Sequence, residues 1–362
     1  MPVVGDTAGT AAPLDATVHL VEMGGRGGVH QHAASVARAL ADEGVDVVLH
    51  TAHDAEELGD GVRRCGCLRW SRRLPDGLRQ AVTGARFLGC TCPHLLRATD
   101  RGDVVHVQGL FGYWLTAALM WTLRARGRRV VLTPHNTFAR GGARHHERAV
   151  RWMISRADVV IVFTASDLRR VAELGGVGVR STLSLFHPAP RPERVERWRA
   201  RYGDRPTALL AGYLRADKQP ALFLAACAEL DLTAAIVGPS GDGEPLVAGA
   251  ARDVRVVRDA RYLPLADFVD AVAAADVVVA THAVGSASAP LAIARDLGVR
   301  TAALAVGGVA EEALAVAETP TAASVAAAVR RALDQEPPEP TPPTDVADRH
   351  LRANACAAHR PR

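Results

Sequence analysis

The stretch Ala208–Leu224, ALLAGYLRADKQPALFL, runs in order through a strand, a glycine turn, a basic loop and a helix start. Leu209, Leu210 and Ala211 form the short apolar run, Gly212 suits a tight turn, and Arg215 and Lys218 set two cations in the loop that follows. In parallel α/β sheets, ligands gather where strands end and helices begin, because the free N–H groups of a helix start favour anions. The alternative is that both cations are ordinary surface charges on a connecting loop.

The rest of the second half repeats this alternation. Leu232–Val237 reads as a strand running into GPSGDGE, where Gly238, Gly241 and Gly243 keep a loop close to a backbone or a ligand. Asp253–Val257 is another strand. In SASAPLAIARDLG, Ser286 or Ser288 can cap a helix that carries Pro290 in its first turn, with its amides toward a diphosphate. AVGGVAEEAL adds one more glycine turn before a helix. Ordinary αβ connections would use many of the same glycines.

The first half follows the same plan. Ala16–Gly24 is a strand, and GGRGGVHQHAASVARALADEG is a glycine-rich turn opening a helix whose Val29, Ala33, Val36, Ala37 and Leu40 share one face. The GGRGG spacing is not GxGxxG, and the next strand ends in His50 and His53 rather than an acid, so a nicotinamide dinucleotide is disfavoured. Val45–Leu49 is the second strand and Asp103–Val107 the next, with a basic, weakly patterned helix-and-loop region between them. Val130–Leu132 then delivers Thr133, Pro134, His135 and Asn136 at a strand end, where His135 can donate to a hydroxyl or phosphate or act as a base. Its alternative role is to fix the loop beside Asn136. Arg140 and Arg144 lead into a helix, and Thr164 or Ser166, with Asp167, supplies ordinary capping to the one after.

Length and composition fit this repeat. A chain of 362 residues with 48% apolar content supports two cores. The expected division is a flexible N-terminus at 1–15, a first Rossmann-like α/β domain at 16–187, a linker at 188–205, a second at 206–335, and a Pro-rich segment with a return helix at 336–362. A net charge of +4 and 4% aromatic residues argue against nucleic-acid partners. With neither a signal-like start nor a long apolar run, the expected location is the cytoplasm. Cys65 and Cys67, and Cys90 and Cys92 with His94 behind them, raise a zinc site. The usual spacing leaves two or more residues between paired ligands, so none is expected. Cys227 reads as core, and Cys356 lies in the tail.

These residues carry a resemblance, over nearly the whole length, to bacterial glycosyltransferases of the GT-B fold in the large family 4 group of retaining, nucleotide-sugar-dependent enzymes. GGRGGVHQH resembles the family's glycine-rich acceptor loop, HVQG at His106–Gly109 its strand end, and TPHN its strand-end histidine. GYLRADK resembles the donor-phosphate loop GR(L/I)xxxKG, with Lys218 on the lysine, Tyr213 in place of the arginine and Gln219 in place of a glycine. VGPSGDGE resembles the VGxGxxx loop. Two family glutamates, eight positions apart, fall here on Gly285 and Ile293, leaving Asp242, Glu244 and Glu312 as nearby acids.

The resemblance implies an N-terminal acceptor-side domain and a C-terminal donor-binding domain across a cleft. It implies glycosyl transfer from a nucleoside-diphosphate sugar to a hydroxyl acceptor, with retention and without a metal or other cofactor. Gly27, Gly28, His106 and Asn136 would lie on the acceptor side and His135 would be catalytic. Gly212, Arg215, Lys218, Gly238, Ser288 and Pro290 would hold the donor. A peripheral membrane contact through the basic first domain is among the expected partners. A non-catalytic GT-B homologue, or an epimerase-like enzyme, is the alternative.

Overall fold

The computed structural model describes residues 16–57, 61–70, 74–110, 112–139, 143–183, 185–341 and 346–359. The expected flexible N-terminus and Arg140 lie outside the described residues. The chain forms two compact units, one running to Phe186 and rejoined by the C-terminal helix, the other spanning residues 187–343.

The first unit alternates β1 (Val18–Glu22), α1 (Gly27–Asp42), β2 (Val47–Ala52), β3 (Arg63–Leu68), α2 (Asp76–Arg86), α3 (Cys92–Ala98), β4 (Val104–Gln108), α4 (Tyr113–Ala125), β5 (Arg129–Thr133), α5 (Arg144–Arg156), β6 (Val159–Val162), α6 (Ala165–Glu173) and β7 (Gly178–Arg180). Its seven strands are parallel, in the order β3-β2-β1-β4-β5-β6-β7. The central strands are buried along their whole length because both faces are covered. On one face Val18, Leu20, Leu49, Val104 and Val131 meet α1, and on the other Val21, Val105, Val107 and Leu132 meet α4 and α5.

The second unit contains α7 (Pro192–Tyr202), β8 (Thr207–Ala211), α8 (Pro220–Glu229), β9 (Thr233–Val237), α9 (Glu244–Ala250), β10 (Val256–Asp259), α10 (Leu265–Ala273), β11 (Val277–Ala280), α11 (Ala289–Asp296), β12 (Arg300–Leu304), β13 (Ala315–Ala317) and α12 (Ala322–Leu333). Its six strands are also parallel, in the order β10-β9-β8-β11-β12-β13. This arrangement puts β8, the strand that opens the Ala208–Leu224 stretch, at the centre of its sheet. The return helix α13 (Val346–His359) packs on the first unit, where Val346, Ala353 and Ala357 join the α1 face.

Three stretches differ from expectation. Residues 188–205, expected to be a linker, instead contribute α7 to the second unit. Arg191 binds Asp270 through its backbone N–H at 2.8 Å and its side chain at 2.9 Å, and Tyr202 is buried with its hydroxyl on the Ala271 carbonyl. The Pro-rich segment packs at its start, since a side chain on Gly298 would meet the Pro338 carbonyl at 2.6 Å. An edge strand, β3, precedes the weakly patterned region, and its Arg63, Arg64 and Gly66 disguise it; edge strands favour such charge.

Candidate functional sites

In the second unit the ends of β8 and β9 are built from glycines that admit no side chain. Gly212 has φ +88°, and a Cβ there would stand 3.0 Å from Lys218 Nζ and 3.8 Å from Pro290 Cγ. Gly238, at φ +136°, presses on Gly212, with only 2.3 Å between a Cβ and the Gly212 carbonyl oxygen. Gly241 and Gly243 lie as tightly on the backbones of Leu214 and Arg215, so the GPSGDGE glycines serve contact between two loops.

This packing brings Gly212, Lys218, Gly238 and Pro290 together. Lys218 is buried, and its ammonium donates to the Ala211 carbonyl at 2.5 Å. Gln219 takes a left-handed conformation, φ +48°, which explains why a glycine suits that motif position, and its amide holds the Thr281 carbonyl at 3.0 Å.

Arg215 is turned differently. Its guanidinium binds the Asp217 carboxylate by two bonds, at 2.8 and 3.1 Å. Ser288 precedes α11, but its side chain makes no capping bond; its backbone N–H donates to Glu312 Oε2 at 3.2 Å. Of the three nearby acids, Glu312 therefore lies at the α11 start. Asp242 accepts from the Ala216 N–H at 2.8 Å, and Glu244 pairs with Arg258 at 2.7 Å, which holds its carboxyl below the usual range. The positions of the two family glutamates are filled: a Cβ on Gly285 would stand 2.7 Å from Val309 Cγ2, and Ile293 is fully buried.

In the first unit, the glycine-rich turn closes on a carboxylate of the chain itself. Glu22, buried at the end of β1, accepts from the N–H groups of Gly24 at 2.5 Å and Gly25 at 2.9 Å, and from Thr51 Oγ1 at 3.0 Å; its Oε2 also lies 2.9 Å from His30 Nδ1. Sequence reasoning passed over Glu22, although an acid ending a strand just before paired glycines is the signal. Gly27, at φ +74°, and Gly28 open α1.

His135 stands in the left-handed region, φ +57°, a conformation that non-glycine residues hold at a cost of about 1–2 kcal/mol and that gathers at functional sites. It is half-buried, with Nε2 3.1 Å from Gln108 Oε1. His106 lies deeper. It is fully buried, with Nε2 2.8 Å from Thr133 Oγ1 and 3.2 Å from Gln108 Nε2. Burial pushes its pKa down to about 3, so it is a neutral ring linked to His135 through Gln108. Asn136 follows in the same turn, half-buried. His350 of α13 stacks on His106 at 5.5 Å, and His32 of α1 meets both His135 and His350 edge-on or tilted. That cluster joins three distant segments, and no local spacing announces it.

Two parallel α/β units with glycine turns at their strand ends define the GT-B class. Residues 26–182 match the model of Glycosyltransferase Family 4. The D-inositol 3-phosphate glycosyltransferase of Thermobispora bispora is 27% identical over 261 residues, 61% of this chain and 59% of the relative, so the match spans less than two thirds of that protein. The sucrose-phosphate synthase of Thermosynechococcus elongatus superposes with a TM-score of 0.65 at 18% identity, covering 95% of this chain and 93% of that one. The catalytic domain of starch synthase IV from Arabidopsis thaliana, bound to ADP and acarbose, gives 0.68 at 15% identity, covering 96% and 95%. The chain thus has the GT-B fold, and its residues 26–182 are similar to Glycosyltransferase Family 4. No helix among the described residues is long and apolar enough to cross a membrane.

Proposed function

We propose that the protein transfers a glycosyl group from a nucleoside-diphosphate sugar to an acceptor hydroxyl, with retention of configuration and without a divalent metal. The second unit takes the donor and the first the acceptor. The observation that carries this reading is the juxtaposition of Gly212, Gly238, Lys218 and Pro290: a buried ammonium beside two side-chain-free turns at the carboxyl ends of adjacent parallel strands. A diphosphate leaving group needs donors fixed in advance where its charge develops, and an ammonium held by packing meets that need. The ADP bound by the Arabidopsis structure, and the phosphorylated acceptor named for the Thermobispora relative, set the first compounds to test.

A non-catalytic homologue is the second reading. It is favoured by the filling of positions 285 and 293, which removes two carboxylates from the donor side. Calorimetric titration of UDP, GDP and ADP, followed by release of nucleoside diphosphate from the matching sugars with and without phosphorylated inositols, separates the two. Binding with turnover supports transfer. Binding without turnover on any acceptor supports the second reading, and no binding at all removes the donor site.

A further inference from the structure

The CxC pair that spacing alone sets aside lies on β3, with Cys67 at a bulge where the ladder with β2 shifts register. Cys65 faces His50 across the β2–β3 ladder as its register partner, and α3 brings His94 over the same face. One ligand atom from each of His50, Cys67 and His94 lies within 4.8 Å of the others, and Cys65 Sγ is 3.2 Å from His94 Nε2. Zinc–sulfur bonds of about 2.3 Å and zinc–nitrogen bonds of about 2.0–2.1 Å at tetrahedral angles put neighbouring ligand atoms about 3.6 Å apart. Cys65 stands outside the 4.8 Å group and adjoins it through His94.

A second observation points the same way. His50 is 1% exposed, and its Nδ1 meets no hydrogen-bond partner among the described residues. Its other nitrogen, Nε2, lies 3.0 Å from His19 Nδ1, and His19 Nε2 lies 3.2 Å from Asp103 Oδ2. The carboxylate can only accept, so His19 Nε2 carries the proton and its Nδ1 is a lone pair. His50 must then donate from Nε2, which leaves Nδ1 as an unprotonated lone pair in a buried site. A metal-bound histidine is held by such an outer partner, usually a carboxylate or carbonyl; here a second imidazole relays the carboxylate.

We propose that His50, Cys65, Cys67 and His94 bind one zinc ion as a tetrahedral structural site that clips the edge strand β3 to β2 and α3. Two thiolates and two neutral imidazoles cancel the charge of the ion, which suits a half-buried place. Both thiols release their protons to solvent on binding.

The test uses the full chain, purified under reducing conditions, stripped with a chelator and titrated anaerobically with Co²⁺. The expected result is one equivalent bound, with the intense bands of tetrahedral cobalt and thiolate-to-metal charge transfer, and displacement by Zn²⁺. Cys67→Ser and His94→Ala should abolish those bands, and Cys356→Ser should keep them. Asp103→Ala, which removes the acceptor that sets the His19–His50 tautomers, should weaken metal affinity by about 10- to 100-fold. Should Cys67→Ser fail to fold, the wild-type spectrum decides. Sub-stoichiometric binding, a six-coordinate spectrum without charge transfer, or bands that survive in the His94→Ala protein would overturn the proposal. So would a disulfide among Cys65, Cys67 and Cys92 that persists under the same reducing conditions.

Discussion

Lys218 and Arg215 look alike in the sequence and differ in the fold. Lys218 is fixed by burial beside Gly212, so Lys218→Ala removes a charge-assisted contact of about 1.5–3 kcal/mol, and nucleotide affinity should fall about 10- to 100-fold by calorimetry. Arg215 already spends its guanidinium on Asp217, so Arg215→Ala should change affinity by less than about 3-fold, equivalent to roughly 0.5 kcal/mol. An equal loss in both variants would contradict this division. Gly212 offers a second check on the same turn. An alanine there must hold φ +88° and press its Cβ toward the ammonium, costing about 1–2 kcal/mol of stability, and affinity should drop with Lys218 unchanged in sequence. In the first unit, His135→Ala should keep the fold yet lower turnover by roughly 10- to 1000-fold, the scale of one positioned proton-transfer or transition-state contact. Unchanged turnover at saturating substrates would give His135 a loop-fixing role.

At the scale of elements, the helix that returns to the first unit carries a clear expectation. Val346, His350, Ala353, Asn354 and Ala357 are all buried in α13, against α1 and the sheet. Burying Val346 alone is worth about 1.5 kcal/mol, and each kcal/mol moves the midpoint by about 2–4 °C in a unit of this size. A chain ending before Val346 should therefore melt roughly 10 °C lower in the first unit, and Ala353→Asp should reproduce much of that loss by burying a charge. Equal melting of full and shortened chains would show that the helix docks without consequence. This helix was legible because its apolar positions recur at helical spacing after a Pro-rich break. The mostly apolar strands β1, β4, β5, β8, β9 and β11 were legible for a related reason, since parallel strands covered on both faces are rich in apolar residues. β3 and β13 were not. The first mixes arginines, cysteines and a glycine on an edge, and the second has three residues behind a 3-10 turn. Of the sites, the Gly212–Lys218 loop was visible as strand, glycine and cation, whereas the pairing of Arg215 with Asp217 and the closure of the glycine turn on Glu22 depend on side-chain geometry that spacing does not encode.

At the scale of the whole molecule, the two units should respond differently to acid. His106 and His350 are buried as neutral rings in the first unit, and burial drives both below their ordinary 6.5, His106 to about 3 and His350 well down, with His32 and His135 beside them. A histidine with a depressed folded pKa binds fewer protons when folded than when unfolded. Its contribution is complete above about pH 6.5 and is lost as pH falls toward the folded value, at up to about 1.4 kcal/mol per pH unit for each proton. In the second unit, Asp259 is held below the usual carboxylate range by Arg261 and Arg201, so its contribution is lost only as pH falls below about 4. Asp296 works in the opposite sense: burial raises its pKa, and its protonation on acidification relieves a cost of the folded state. Between pH 6.5 and 4.5 the first unit should therefore lose stability while the second keeps it. Differential scanning calorimetry of the full chain should show transitions that separate as pH is lowered, with the first moving down. His350→Phe keeps a flat ring against His106 and removes one titrating group, so the pH slope of that transition should shallow by about one proton. Two transitions that shift in parallel, or a slope untouched by His350→Phe, would place the acid sensitivity elsewhere.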